Sequence, residues 1–458
     1  MISFRKRKNV FSQPVFPLSA LFVLQSAGYY QVLSRKEKES VRMGLLHVDQ
    51  LQAGMVLEKN LLAFNGRFLL PRGAVLTEKH IQTMKVWGVV EAHVEGESLA
   101  EPAEEASSAV PPEILKEAER SLEKAFPSKP SSPPMKELYG IALERAIAAH
   151  SHNGNQTQHQ FRGTSRRFSR DYQKVTLTAA DLVSRELQLA SLPDVYYRIM
   201  DVINSARSSA SHIAEAVSND TSLLGRLLRL VNSAFYGFPS KIETVTRAVA
   251  IIGTRELSTL ALGIAAVQYF HDIPSEYVDM KSFWRHSVAC GVYARLMASE
   301  KIGISEERLF VSGLLHDLGK LVLFRQIPLS ARNAIELAVS KSIPLCEAEK
   351  ELFGFDHAQL GGLLLRQWKI PAPIENAVRY HHAPLSSSNS LEPALLATAD
   401  SLAMAAGFGG SGSVVVPDIT SSAWSETGLS PAVFSPILRQ GSRQIDDITA
   451  AFLGNGGK

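Results

Sequence analysis

The stretch Gly313-Leu-Leu-His316-Asp317-Leu-Gly-Lys320 sets two ionisable side chains next to each other inside an apolar run. Val311, Leu314, Leu315, Leu318 and Val322 recur at three- and four-residue steps, the spacing of one buried face of a single helix. A carboxylate at that depth costs several kcal/mol, about the price of an unpaired buried charge, unless a cation meets it. Gly313, Asp317 and Lys320 share a second stripe, stacking a small residue, a carboxylate and an ammonium. That stack reads as a metal with an anion above it. Taken alone, the same residues also describe a core histidine beside an Asp–Lys surface pair, so the rest of the chain has to decide.

With 458 residues the chain has room for about two to four domains. Cys290 and Cys346 are its two cysteines, which excludes a disulfide framework or a four-thiolate zinc site and fits a reducing cytoplasm. The net charge of +3 is unevenly placed. Residues 1–43 hold eight basic and two acidic side chains, a balance of +6, which leaves −3 on residues 44–458. A body of that sign offers no general attraction to nucleic acid. Arg162, Arg166, Arg167 and Arg170, with Phe161 and Phe168 between them, are a brief basic patch and read as solvated linker. The leader 1–43 has a basic cluster followed by an apolar run from Val15 to Tyr30, shorter than the about 20 residues a span needs. It reads as a signal or anchor, or as sequence ahead of a true start at Met43.

Residues 44–96 read as a small β-rich module. Asn65-Gly66 between apolar flanks signals a hairpin, Pro71-Arg-Gly73 a second turn, and Thr77 a cap for a short helix reaching Trp87. Val89 to Val94 then returns as a strand, and His47, His80 and His93 are scattered surface residues. The run Leu51-Gln-Ala-Gly54-Met55, Asn65-Gly66, Leu69-Leu70-Pro-Arg-Gly73 and Leu76-Thr77 resembles a small module found ahead of bacterial HD-type signalling domains. Residues 97–180 are linker-like, rich in Pro, Ser and Glu, with helices expected over Pro112–Ala125 and Met135–Ala149. His150, His152 and His159 are placed in a loop there.

Residues 181–458 are expected to be nearly all helix, a bundle of about a dozen helices whose main domain is 181–405, so the whole chain is mainly α. Leu192-Pro193, Asp220-Thr221, Asn232-Ser-Ala-Phe-Tyr-Gly237 and Ala248-Val-Ala-Ile-Ile-Gly253 resemble the HDOD signalling domain of bacteria, part of the HD phosphohydrolase superfamily. Thr221 departs from the family, which has Pro there, and Asn232-Ser233 reads as a helix cap. Residues 406–458 are a Gly/Ser-rich extension with one amphipathic helix over Pro431–Gln440 and a short end helix.

The resemblance also implies a ligand set. His286, His316, Asp317 and Asp400 would hold one ion, and Asp317 would bridge to a second held by His357, His381 and His382. His212 and His271 match nothing and are placed on the surface. Imidazole and carboxylate suit divalent Fe, Mn, Zn or Ni. Two such ions would serve a metal-dependent phosphohydrolase acting on a phosphorylated small molecule or cyclic nucleotide, with Asp317 and Lys320 as its catalytic residues and Lys320 meeting the phosphate. His382 is followed by Ala383-Pro384-Leu385, and no Gly-Tyr-Pro occurs in the chain, which argues against cyclic di-GMP. The alternative is a non-catalytic regulatory module that works through signalling-protein partners, with the metal tying helices together.

Overall fold

Short alternating segments near the start of the chain pair as strands, and long 3.6-period segments after them pack as helices. In the computed structural model, described residues run from 45 to 453 apart from 63–67, 87–88, 90, 96–109, 153–175, 190–193, 409–411 and single positions at 206, 208, 239, 271, 272, 275 and 277. Strands β1 (Leu45–His47) and β4 (Glu91–His93) are antiparallel with Leu45 opposite His93. Strands β2 (Leu61–Leu62) and β3 (Phe68–Leu70) pair antiparallel, as a hairpin requires, while Asn65-Gly66 lies outside the described residues. Helix α1 (Glu78–Val86) is capped by Thr77, whose Oγ1 accepts the His80 N–H at 3.2 Å. Val48, Leu51, Leu57, Leu61, Leu76, Ile81 and Met84 belong to a small core of their own.

The helices that follow are α2 (Pro112–Leu122), α3 (Pro133–His152), α4 (Ala179–Leu189), α5 (Asp194–Asn204), α6 (Ala210–Ser218), α7 (Thr221–Val231), α8 (Val245–Ile252), α9 (Thr254–Tyr269) and α10 (Met280–Ala298). Next come α11 (Glu306–Leu315), α12 (Leu318–Gln326), α13 (Pro328–Lys341), α14 (Leu345–Phe353), α15 (His357–Gln367), α16 (Ala372–Tyr380), α17 (Leu391–Ala405), α18 (Ser421–Thr427) and α19 (Phe434–Leu453). The body is mainly α, as expected, but it uses more and shorter helices than a dozen. The end of the chain also differs: α19 is one helix of 20 residues where two short ones were expected. Its face of Phe434, Ile437, Ile445, Ile448 and Phe452 is buried in the main core, which carries the helix past Gln440.

Helix α10 is central, buried along most of its length. It meets α11 at backbone contact, since a Cβ built on Gly313 would lie 2.4 Å from the Gly291 Cα. Two helices assigned to the linker from the sequence also pack on this core: Leu122 at the end of α2 with Phe126 just after it, and Met135, Leu138, Ile141 and Ala142 on α3. His150 and His152 therefore sit at the end of a helix, whereas His159, Leu192-Pro193, His271, the Arg162–Arg170 patch and the leader 1–43 lie outside the described residues. Asn232 does act as a cap: its amide Nδ2 donates to the carbonyls of Leu228 and Ile242, and its Oδ1 accepts the Ile242 N–H, all at 2.7 Å. Asp220 starts α7 at Thr221 by accepting the Leu223 N–H at 2.9 Å, so the missing Pro costs the helix start nothing visible. Among the described residues no helix is long and apolar enough to cross a membrane.

Candidate metal centre

The His316-Asp317 pair is not inside one helix. Helix α11 stops at Leu315, Asp317 takes φ −96° and ψ 6°, and α12 begins at Leu318. The single buried face expected over Val311–Val322 is thus split between two helices. On both sides of the break, over Leu309–Leu315 and Leu318–Phe324, every residue is buried, so the apolar pattern could not reveal it. The physical gain is orientation: the interruption turns the two side chains into one space. His316 Nδ1–H donates to the Gly313 carbonyl at 2.7 Å, and the Lys320 N–H to that of Asp317 at 2.9 Å.

The other candidates come from four more positions. His286 lies on α10 and Asp400 on α17. His381 and His382 directly follow α16. His357 is the first residue of α15, placed by Gly354, which ends α14 at φ +81°, and by Asp356, which caps α15 by accepting the Gln359 N–H. All seven converge. Ligand atoms lie within 4.8 Å of one another in three groups: His286, His316 and Asp400; His357, His381 and His382; and His316, Asp317 and His381 between them. His286 Nε2 is 3.2 Å from Asp400 Oδ1, and Asp317 Oδ1 is 3.4 Å from His316 Nε2 and 3.3 Å from His357 Nε2. Among the described residues, the groups able to hold an ion all belong to this cluster. His212 is elsewhere, exposed on α6, where its Nδ1 accepts the Ser209 N–H.

Three observations test whether these residues fit a cation. First, the imidazoles are aimed by their far nitrogens. His286 Nδ1 contacts the Phe408 carbonyl at 2.9 Å and His381 Nδ1 the Val378 carbonyl at 2.7 Å, as His316 does with Gly313. Each ring thereby donates Nδ1–H outward and keeps its Nε2 lone pair for the centre. Second, His316 Nε2, Asp317 Oδ1 and His381 Nε2 are buried there without any hydrogen-bond partner. Buried polar atoms are almost always paired, so three orphans facing one point call for a further group. Third, the enclosed charge is unbalanced: the carboxylates of Asp317, Asp400 and Glu349 are buried against Lys320 and the His357 ring that Glu349 holds. The residues present fit a divalent ion.

The electrostatics agree with that geometry. Burial lowers the pKa of His316, and burial with the neighbouring His316 and His357 lowers His381 to about 3. Burial and His381 likewise hold His382 well below the ordinary histidine range, so these rings are neutral ligands. Burial pushes the Asp317 carboxyl up, but His316, Lys320 and His357 outweigh it and hold it well below the usual carboxylate range. His357 is the exception. Burial opposes its charge, yet the Glu349 carboxylate and Asp317 together outweigh burial and lift it to about 9. The Nε2 atoms of His357 and His382 are 2.9 Å apart, so either they share a hydrogen or both face a cation.

Glu349 was not singled out in the sequence. It is 2% exposed, and its Oε2 accepts both the His357 N–H at 2.8 Å and the His357 Nδ1–H at 2.6 Å. A signal was present: Glu349 stands on the same α14 stripe as buried Leu345, Leu352 and Phe353, where an acid has no reason to be without a partner. Lys320 stands beside Asp317, its neighbour on the expected stripe. Its Nζ donates to Asp317 Oδ2 at 2.8 Å, with Ser413 Oγ at 3.4 Å. Phe408, whose carbonyl orients His286, is itself gripped by the guanidiniums of Arg285 and Arg145 at 4.9 and 5.7 Å from its ring.

Residues 189–384 match the family model of the HDOD domain. An uncharacterised protein of Treponema pallidum (strain Nichols) is 27% identical over 212 residues, which span 46% of this chain and 40% of that relative's length. Among solved structures, a protein described as a candidate phosphohydrolase from Shewanella amazonensis SB2B is 25% identical and covers 59% of this chain and 97% of its own, with a TM-score of 0.49. An HDOD domain protein of unknown function from Geobacter sulfurreducens is 21% identical over 60% of this chain and 96% of its own, at a TM-score of 0.45. Asp400 and Phe408 lie beyond the matched segment, and His286, His316, Asp317, Lys320, Glu349, His357, His381 and His382 lie within it. The helical body of this chain carries an HDOD domain.

Proposed function

We propose that the cluster holds two divalent transition ions, Fe, Mn, Zn or Ni, and hydrolyses a phosphoester of a small molecule or nucleotide. The observation that carries this reading is the set of three buried, unpartnered ligand atoms at one point, His316 Nε2, Asp317 Oδ1 and His381 Nε2. His286, His316 and Asp400 would take one ion and His357, His381 and His382 the other, with Asp317 between them. Ions so held supply a Lewis acid for phosphoryl oxygens and a water acidic enough to attack at neutral pH. Lys320 holds Asp317 in place and would offer its ammonium to the phosphate. The absence of Gly-Tyr-Pro from the sequence directs the substrate search away from cyclic di-GMP. Both thiols are buried and free, which fits a reducing compartment.

Elemental analysis of the purified chain tests the metal, and bis(p-nitrophenyl) phosphate tests the chemistry. Two ions per chain with metal-dependent turnover is the expected result; no tightly held ion would overturn it. A second reading has its own support: His286, His316, His357 and His381 are no more than 2% exposed and join several helices, as in a structural centre. Two ions without cleavage of any phosphoester would select that regulatory, partner-binding role.

Glu349 serves in either case as the positioning residue for His357. Glu349→Gln keeps the shape but removes the charge that orients the ring. The expected result is about 10- to 100-fold weaker retention of the ion on the His357 side in a chelator titration. The ion on the His286 side should be released as in the parent protein.

A further inference from the structure

A cavity of about 630 Å3 lies away from the metal candidates, none of which is on its wall. That volume falls within the range of small-molecule sites, about 300–1,000 Å3. It is set at the opposite ends of the helices that bring the ligands. Helix α11 starts at the cavity and His316 follows its last residue; α16 starts there with Pro373 and Ile374 and His381 follows its last residue. Arg308 on the wall and His316 are about 12 Å apart along α11, from the rise per residue.

The wall chemistry is specific. Arg308 donates from Nε and Nη2 to the Glu392 carboxylate at 3.0 and 2.6 Å. Glu392 is 3% exposed, so the guanidinium plane is fixed from behind. The Nη1 edge has no partner among the described residues. Arg255, also on the wall, is exposed and makes no ion pair among the described residues. Glu256, the one carboxylate lining the cavity, folds back over the start of its own helix: a Cβ on Gly253 would lie 2.4 Å from its Oε2. Pro371, Pro373 and Ile374 supply an apolar side. A guanidinium edge held in place by Glu392, the exposed guanidinium of Arg255 and an apolar wall together suit a phosphate joined to an organic body.

We propose that this cavity is an effector site for a small phosphate-bearing metabolite, bound through Arg308 Nη1 and the Arg255 guanidinium. The site is separate from the metal centre and stands whether or not that centre is catalytic.

Calorimetric titration of the full chain with inorganic pyrophosphate tests it, alongside Arg255→Ala, Arg308→Lys and Asp317→Asn. Saturable binding is expected in the parent protein and in Asp317→Asn. Loss of a charge-assisted contact should weaken it about tenfold in Arg255→Ala and in Arg308→Lys. Should Arg308→Lys fail to fold because Glu392 loses its bidentate partner, the exposed Arg255→Ala still decides. Binding abolished by Asp317→Asn but untouched by Arg255→Ala would place the anion at the metal centre and overturn the proposal. So would binding indifferent to all three variants, or no saturable binding up to about 10 mM, a concentration that detects even millimolar affinity.

Discussion

Asp317→Ala is expected to release both ions and abolish phosphoester turnover. The reason is position: Asp317 Oδ1 is the carboxylate oxygen between His316 and His357, and it is one of the three buried atoms without a partner. Outer partners of metal ligands change affinity by about 10- to 100-fold, so removing a carboxylate shared by both sides should cost at least about 100-fold for each ion. A stability effect accompanies it. Lys320 is 4% exposed, and its ammonium would be left buried without its Asp317 partner. Breaking a buried pair on one side costs about 3–5 kcal/mol. Asp317→Asn, which keeps a hydrogen-bond acceptor for Lys320, should lose the ions with a smaller fall in the urea midpoint. Ion content and unfolding, measured on both variants, separate ligation from packing. Retention of both ions in Asp317→Ala would refute the assignment of Asp317 as the shared ligand.

The largest structural effect is expected from Gly319→Ala. A Cβ at Gly319 would lie 2.0 Å from the carbonyl oxygen of His357 and 2.9 Å from the Gly361 nitrogen, which is backbone and cannot swing aside. Helices α12 and α15 meet there at main-chain contact, and any separation carries His357 away from Asp317. Overpacking of a well-filled core costs about 1–3 kcal/mol and more where backbone must move, so at least about 3 kcal/mol is expected. Gly225→Ala on α7 is the control. A Cβ there meets nothing within 4 Å, and replacing a helical glycine by alanine should stabilise by about 0.5–1 kcal/mol. Urea unfolding should move the two midpoints in opposite directions. Equal small shifts would show that the α12–α15 contact yields more readily than its geometry implies.

Much of this protein is legible before folding. Helical periodicity in the body and the caps at Thr77 and Asn232 depend on residues within a few positions of one another. The seven candidate ligands could be named in order because their positions resemble those of an HD-type site, and a motif is carried by residue identity and order along the chain. Glu349 was readable in principle as an acid among the buried residues of α14 and was missed because its partner, His357, lies across a turn on the next helix.

Other features existed only in the packed chain. The carbonyls of Gly313, Val378 and Phe408 aim three imidazoles, yet every residue has a carbonyl and no side chain marks these three. The break between α11 and α12 is hidden because every residue beside it, Leu309–Leu315 and Leu318–Phe324, is buried, leaving no polar face to show where one helix stops. The same holds for α2 and α3, whose surroundings read as linker while their apolar faces found a place in the main core. Residue identity determined which groups could meet a cation; helix packing decided where they point, because direction depends on neighbours far away along the chain.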